Sequence, residues 1–346
     1  MNWELIGHAW AVDFLRRSIS AGRVAHAYLL SGPAGIGKAL LALRLAQALN
    51  CETGGPDPCL TCRTCKRIAR GNHPDVRIAG MASQSLGLKP EDAARQKDLK
   101  IDTVREWQSD INLRPYESRR RVFILHDAEK LTDAASNAML KTLEEPPPYA
   151  TLLLIANTAG DLLPTIVSRC QPLKLRPVPR EQVAAGLRER AGLDAADADR
   201  LAAWSGGRVG WALPMADAPD ELEARRSQLD ALIALATASR SDGFRWAEER
   251  AKAYRSGEQA DVFAALELWQ SWWRDVLLVA ADCPTEVIHV DRRDELAGLA
   301  ARYPIADIHA FIVRLDNAAR QLRENANPQL ALENVVLHVP RQQEQR

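Results

Sequence analysis

A chain of 346 residues with 47% hydrophobic and 26% charged residues is ordinary globular material, too long for one small core, and predicts two or three domains. Lys+Arg and Asp+Glu both number 45, so the formal charge is zero; that argues against tight autonomous nucleic-acid binding and fits a life inside a complex. No apolar run is long enough to span a bilayer, and Met1-Asn2-Trp3-Glu4 does not open a secretory signal, so no membrane association and a cytoplasmic location are expected, with the six cysteines as thiols or metal ligands.

In chain order, residues 26–30 form a short apolar run that reads as a strand and ends at Gly32-Pro33-Ala34-Gly35-Ile36-Gly37-Lys38. This fits G-x-x-x-x-G-K, after a strand and before a helix, as a phosphate loop requires. Gly32, Gly35 and Gly37 let backbone N–H groups approach phosphate, and Lys38 would reach the β- and γ-phosphates. A chance Gly-rich turn is the bland alternative. The motif wants Ser or Thr next, to ligate Mg²⁺, and the chain has Ala39. An ATP bound here would lack one metal ligand, and whether Lys38 still engages nucleotide stays open. Residues 39–50 are helical, with Leu41, Leu45 and Leu49 four apart.

Cys51, Cys59, Cys62 and Cys65 follow as C-x7-C-x2-C-x2-C. Such spacing lets four thiolates converge on one tetrahedral Zn²⁺ and leaves no open position, so the zinc is expected to be structural. A redox pair of Cys62 and Cys65 is the rival. Arg63, Lys66, Arg67 and Arg70 beside the module read as a solvated face, with contact to DNA or a partner as the alternative. Cys170 and Cys283 have no partner motif. Residues 80–100 are polar and irregular and read as a flexible connection.

Residues 122–125 read as a buried strand that delivers Asp127, the acid that forms the second half of an ATPase site. A motor ATPase places a water-polarising acid next, and here stands Ala128. Glu129 is one place further on, expected on the opposite face unless a local bulge turns it inward. With Ala39 and Ala128 both lacking the needed groups, negligible intrinsic hydrolysis is expected. Thr132 or Asp133 caps a helix with Ala135, Met139 and Leu143 on one face, Pro146-Pro147-Pro148 stops it, and residues 151–156 form another buried strand. Strand–helix alternation predicts a parallel α/β sheet. Beyond Pro172, Pro177 and Pro179 the pattern turns helical, with residues 214–219 read as a linker. Leu266, Trp269, Trp273 and Leu277 form a core-facing stripe, with Trp272 off it as an interface candidate.

Several motifs in this order resemble the AAA+ clamp-loader family of bacterial DNA polymerase III. Leu140-Lys141-Thr142-Leu143-Glu144-Glu145-Pro146-Pro147 resembles the helix after that family's second ATPase motif, and Ser168-Arg169-Cys170 its arginine-finger motif. The cysteine insertion, His73-Pro74-Asp75, and the segment from Asn327 to Glu333 resemble its zinc module, the point where the family resumes, and its last collar helices. The resemblance implies an α/β AAA+ domain over 1–170 with a zinc module at about 51–65, a helical lid over 171–213 and an all-α collar over 214–346. Arg169 would serve the ATP of a neighbouring subunit, while Asn157 and Arg208 hold the two sensor positions. The departures at 39 and 128 point to the non-motor branch. Implied partners are the gamma/tau and delta subunits, with the sliding clamp and primed DNA reached through the complex, and no catalysis by the chain alone. An active, gamma/tau-like ATPase is the alternative.

Overall fold

Five strands form one sheet: β1 (Ala27–Ser31), β2 (Val76–Ala79), β3 (Arg121–Leu125), β4 (Ala150–Ala156) and β5 (Gln171–Lys174). The computed structural model describes residues 3–85, 96, 98–283 and 287–340. Strand order is β2-β3-β4-β1-β5 and every pairing is parallel, with Tyr28 opposite both Leu153 and Gln171. The central strands β1 and β4 are buried along their whole length, as expected of strands covered on both faces. Successive side chains alternate between the faces. Leu30, Ile124, Leu153 and Ile155 pack with Leu15, Leu41, Leu45 and Ile68 on one side. Leu29, Phe123, Leu125 and Leu154 pack with Trp107, Met139, Leu143 and Ile166 on the other.

Helices α1 (Ala9–Ser20), α2 (Lys38–Asn50), α3 (Arg63–Ala69), α4 (Met81–Gln84), α5 (Ile101–Ile111), α6 (Asp133–Glu144) and α7 (Pro164–Val167) complete this region. The start of α6 is fixed by Thr132, whose Oγ1 accepts the Ala135 N–H at 3.2 Å. Of the stretch expected to be irregular over residues 80–100, positions 86–95 and 97 lie outside the described residues. Within the remainder, α4 is a helical turn and Leu99 bridges Leu131 in parallel, so that part of the expectation is corrected.

The chain divides into two units, Met1–Gly186 with Gly207–Trp211, and Leu187–Gly206 with Ala212–Arg346. The second is helical: α9 (Ala195–Ser205), α11 (Pro219–Ala234), α12 (Arg240–Ser256), α13 (Gln259–Ala280), α14 (Arg293–Arg302), α15 (Ile305–Arg323) and α16 (Pro328–Leu337). Two helices cross the division, α8 (Arg180–Ala191) and α10 (Val209–Ala216). The expected linker over 214–219 is therefore corrected: most of it is helix, with Pro214 inside α10 and Pro219 opening α11. Pro219 pre-sets the first-turn φ at no cost in hydrogen bonds.

Helix α13 is the centre of the second unit. Trp269 and Trp273 each meet Phe311 edge-on, with ring centroids 5.2 and 5.3 Å apart. Trp272 is equally buried: its ring meets that of His289 at 5.3 Å, and the Arg292 guanidinium lies 5.5 Å from its centroid. It is core rather than an interface residue, which corrects the expectation. Asp275, fully buried one turn on, accepts the backbone N–H groups of Ile288 and His289 and faces His289 Nδ1, all at 2.8 Å. Among the described residues no single helix is long and apolar enough to cross a membrane.

Candidate functional site

The carboxyl ends of three adjacent parallel strands converge on one cavity, where open α/β sheets hold ligands. β1 delivers the loop 32–38, β3 delivers Asp127 and β4 delivers Asn157. The cavity, of about 360 Å³, is lined by Gly35, Gly37, Lys38, Ala39, His126, Asp127, Glu129, Asn157 and Gly210. Gly37 sits at φ 105° and Gly32 at φ 144°, and a side chain at Gly32 would run into the Leu175 carbonyl, so the loop depends on these glycines. Arg208 is carried on a segment that packs behind the loop, where the Gly210 N–H donates to the Gly35 carbonyl at 2.6 Å.

Lys38 does not reach into open space. Its ammonium donates to the carbonyls of Gly32 and of Pro33 (2.8 Å) and to Asn157 Oδ1 (3.2 Å). A lysine has three donors, and each has a protein acceptor here. Burial pushes its pKa below the ordinary lysine value, against the opposing pull of Glu129 and Asp127. The methyl group of Ala39 lines the cavity where a hydroxyl would be needed for magnesium.

Asp127 adopts a left-handed conformation, φ 55° and ψ 40°, and a 3₁₀ turn over Ala128–Lys130 follows. That turn buries Ala128 and swings Glu129 into the cavity, where its Oε1 accepts the Asn157 side-chain amide at 2.7 Å and backbone N–H at 3.3 Å. The expectation that Glu129 lies on the opposite face is thus overturned, because the strand has ended before it. Its other oxygen, Oε2, is buried with no hydrogen-bond partner among the described residues. Sequence reading also missed two histidines. His8, itself left-handed, donates from Nε2 to the Ile36 carbonyl at 2.9 Å, and His126 lines the cavity. Burial lowers the pKa of both. The His126 position, next to Asp127, was a usable signal; nothing in the sequence marked His8.

Arg169 and the cysteine module lie apart from this lining. Arg169, just past α7 and half-buried, reaches back across the fold: one terminal nitrogen donates to Glu144 Oε1 at 2.6 Å and the other to the Thr165 carbonyl at 3.1 Å. Cys170 beside it is buried, which pushes its thiol up to about 12.

The sulfurs of Cys51, Cys59, Cys62 and Cys65 all lie within 4.8 Å of one another, a cluster that could hold a metal ion. Backbone N–H groups of Cys59, Cys62 and Cys65 donate to the sulfurs of Cys51, Cys59 and Cys62, each at 3.3 Å, the arrangement that stabilises thiolates around a metal. The N–H of Cys62 leads in pushing the Cys59 thiol down to about 6, while burial pushes Cys65 up. Four sulfurs at this spacing fit a tetrahedral Zn–S length of about 2.3 Å. The module also anchors the start of the chain: Asp57 accepts the Trp3 indole N–H at 2.8 Å and pairs with Arg16 at 2.9 Å.

A five-stranded parallel sheet with a glycine-rich phosphate loop, an acid at the next-but-one strand end and a polar residue at the neighbouring one defines a P-loop fold of the AAA+ class. Comparison with known proteins agrees. The family described as DNA polymerase III, delta subunit, matches residues 7–179, and its C-terminal counterpart matches residues 219–340. The chain belongs to this DNA polymerase III family. The delta' subunit of Bacillus subtilis is 29% identical over 94% of each chain, and that of Pseudomonas aeruginosa is 41% identical over 42% of each. The tau subunit of Escherichia coli is 33% identical over 52% of this chain and 26% of its own. Among solved structures, a gamma subunit-related protein from Thermotoga maritima covers 95% of this chain and 98% of its own at 20% identity, with a TM-score of 0.48.

Proposed function

We propose that this chain is the delta'-type, non-hydrolysing subunit of the DNA polymerase III clamp loader, which supplies Arg169 to the ATP of an adjacent gamma/tau-type motor during ATP-driven loading of the sliding clamp onto primed DNA. One observation carries this reading above the others: all three donors of Lys38 are taken by the chain's own oxygens in a pocket whose lining at position 39 is a methyl group. Such a pocket is poorly equipped to turn over ATP, whereas Arg169 keeps a half-exposed guanidinium of the kind that stabilises charge on a transferred phosphoryl group. Similarity to the Bacillus subtilis delta' subunit over 94% of each chain supports the assignment. The reading carries with it gamma/tau and delta partners, a cytoplasmic location, a structural Zn²⁺ on the four cysteines, sensor positions at Asn157 and Arg208, and the division into AAA+ domain, lid and collar over 1–170, 171–213 and 214–346.

The test is Arg169→Ala in the reconstituted complex. Assembly should persist while clamp-stimulated ATPase falls, since an arginine finger contributes on the order of 10³–10⁵ in rate at its own site. Unchanged ATPase would remove the role. A second reading, a gamma/tau-like motor, is favoured by the presence of the Glu129 carboxylate in the pocket. Brisk phosphate release by the isolated chain would select it.

A further inference from the structure

Two motifs that lie 25 residues apart in sequence meet in the fold through one ion pair. Glu144 closes α6, and Arg169 follows α7. The pair is close, 2.6 Å, yet half exposed: the side chains keep 35% and 50% of their accessible surface. An ion pair so open to water adds little to stability, so its value is better sought in what it does to the arginine.

The local electrostatics make Glu144 an unexpected residue. It is the last residue of α6, and Glu145 caps the same end. A helix carboxyl terminus carries partial negative charge and disfavours acids. Two acids there oppose the helix dipole, and a cation drawn to that end offsets them. Lys141 in the last turn is one such cation, and Arg169, brought in from outside the helix and paired directly with Glu144, is another. The Arg169 guanidinium is held by the Glu144 carboxylate and by the Thr165 carbonyl of its own helical turn, with a longer contact to Ser168 Oγ at 3.5 Å. A planar guanidinium with five N–H donors keeps further donors for an anion when two terminal nitrogens each commit one. Pro146-Pro147-Pro148 fixes where α6 ends and therefore where the carboxylate stands.

We infer that Glu144 is the positioning residue for Arg169: it holds the guanidinium in a fixed pose so that the arginine meets a nucleotide phosphate on an adjacent subunit without first losing its rotamer freedom. This rests on the arginine-finger role proposed above. It adds a second residue to that role and gives the glutamate of the Leu-Glu-Glu-Pro-Pro segment a task in a neighbour's reaction rather than in this chain's own pocket. The physical gain is pre-organisation. A flexible arginine must be ordered at the moment of reaction, and small misplacements of a reacting group lower rates by up to about a hundredfold.

The experiment is a double-mutant cycle in the reconstituted complex, with steady-state ATPase read as kcat and KM for ATP in the presence of clamp and primed DNA. The variants are Arg169→Ala, Glu144→Ala, Glu144→Gln and the double Glu144→Ala/Arg169→Ala. Glu144→Ala should lower kcat at this subunit interface on the order of tenfold with KM unchanged. Glu144→Gln, which keeps an acceptor oxygen, should fall between Glu144→Ala and the parent. In the Arg169→Ala background, Glu144→Ala should change nothing further. Arg169→Ala depressing the rate while Glu144→Ala leaves it intact would overturn the positioning role and leave the finger standing. A flat Arg169→Ala would overturn the finger itself. An additive loss in the double variant would assign Glu144 a general structural role, and a faster Glu144→Ala complex would make the pair a restraint on the arginine; either result overturns the inference.

Discussion

Replacing Asp75 by alanine should destabilise the sheet unit more than its short, loop-bound position suggests. The carboxylate is buried and accepts the consecutive backbone N–H groups of Tyr116 (2.6 Å), Glu117 (2.9 Å) and Ser118 (2.9 Å). Burial alone would raise its pKa, but those bonds outweigh it, and the carboxyl is held below its ordinary value. Arg121, whose side chain is largely buried at the start of β3, has its Nε 3.6 Å from the same carboxylate. Bonds to a charged acceptor contribute about 1.5–3 kcal/mol each. Tyr116 is 82% exposed, so the loop can recover part of that loss from water once released. Arg121 would lose its ion partner and keep, among the described residues, only its bond to the Asp110 carbonyl; that loss adds to the cost, since breaking a buried pair costs up to about 3–5 kcal/mol. Allowing for rehydration of the loop, the net expectation is about 3–5 kcal/mol. At about 3 °C per kcal/mol for a unit of this size, melting should fall by roughly 10 °C. Urea unfolding read from tryptophan emission would measure the first figure and calorimetry the second. Because the folded pKa is depressed, the stabilisation exists above the unfolded value and is lost as the pH falls through the folded one, so the variant should also lose the parent's acid sensitivity in that range. A loss under about 1 kcal/mol would refute the view that His73-Pro74-Asp75 is a fastening for the 116–118 loop.

Trp272→Ala should destabilise the helical unit by about 3–5 kcal/mol, as for other buried tryptophans, whereas an exposed interface residue would lose under about 0.5 kcal/mol; urea unfolding of the isolated chain separates the two. Burial lowers the pKa of His8, His73 and His126, with the Ile36 carbonyl, Glu117 and Asp75, and Asp127 respectively pulling the other way. The folded state therefore binds fewer protons than the unfolded one just below the reference value of 6.5, so stability should drop as pH is lowered from about 7.5 to about 5.5; a urea midpoint that is flat over this range would contradict the burial of these rings. The cysteine module should carry one zinc per chain, released by mercurial titration and absent from Cys62→Ser; protein prepared without chelator and found metal-free by mass spectrometry would end the zinc assignment.

What the sequence made legible follows from how each signal is encoded. β1, β3 and β4 are buried on both faces, so each appears as an unbroken apolar run. The edge strands carry no such mark: Gln171-Pro172-Leu173-Lys174 points only Leu173 inward, and Val76-Arg77-Ile78-Ala79 exposes its middle pair. Proline is tolerated in β5 because an edge strand need not donate on its outer side. The four cysteines were visible because metal geometry constrains local spacing. Glu129 was misread because period-two reasoning assumes that the strand continues, and the left-handed Asp127 ends it. Trp272 was misread for a related reason: stripe arguments assume one narrow buried face, and α13 is packed by α11, α12, α14 and α15, which leave exposed a strip through Ala264, Glu267 and Arg274.

The charge balance of the pocket is a further argument for the weak turnover proposed above. Lys38 contributes one positive charge and Asp127 and Glu129 two negative ones, while burial keeps His126 toward its neutral form. The formal charge of these lining groups therefore sums to minus one. A motor site offsets the negative charge of a triphosphate largely with magnesium, held through the loop hydroxyl and the strand-end acid. Here only the acid remains, and it is already tied, since Asp127 Oδ2 accepts the Met81 N–H at 3.3 Å. Without the cation, the two carboxylates oppose the phosphates that Lys38 would have to leave three good acceptors to meet. Restoring a hydroxyl at Ala39 would therefore leave the electrostatic barrier standing, and so would an acid at Ala128, whose side chain points into the core beside Leu125 and Ala135. On the proposed reading, weak turnover would come from the arrangement of the whole pocket rather than from two letters of the sequence.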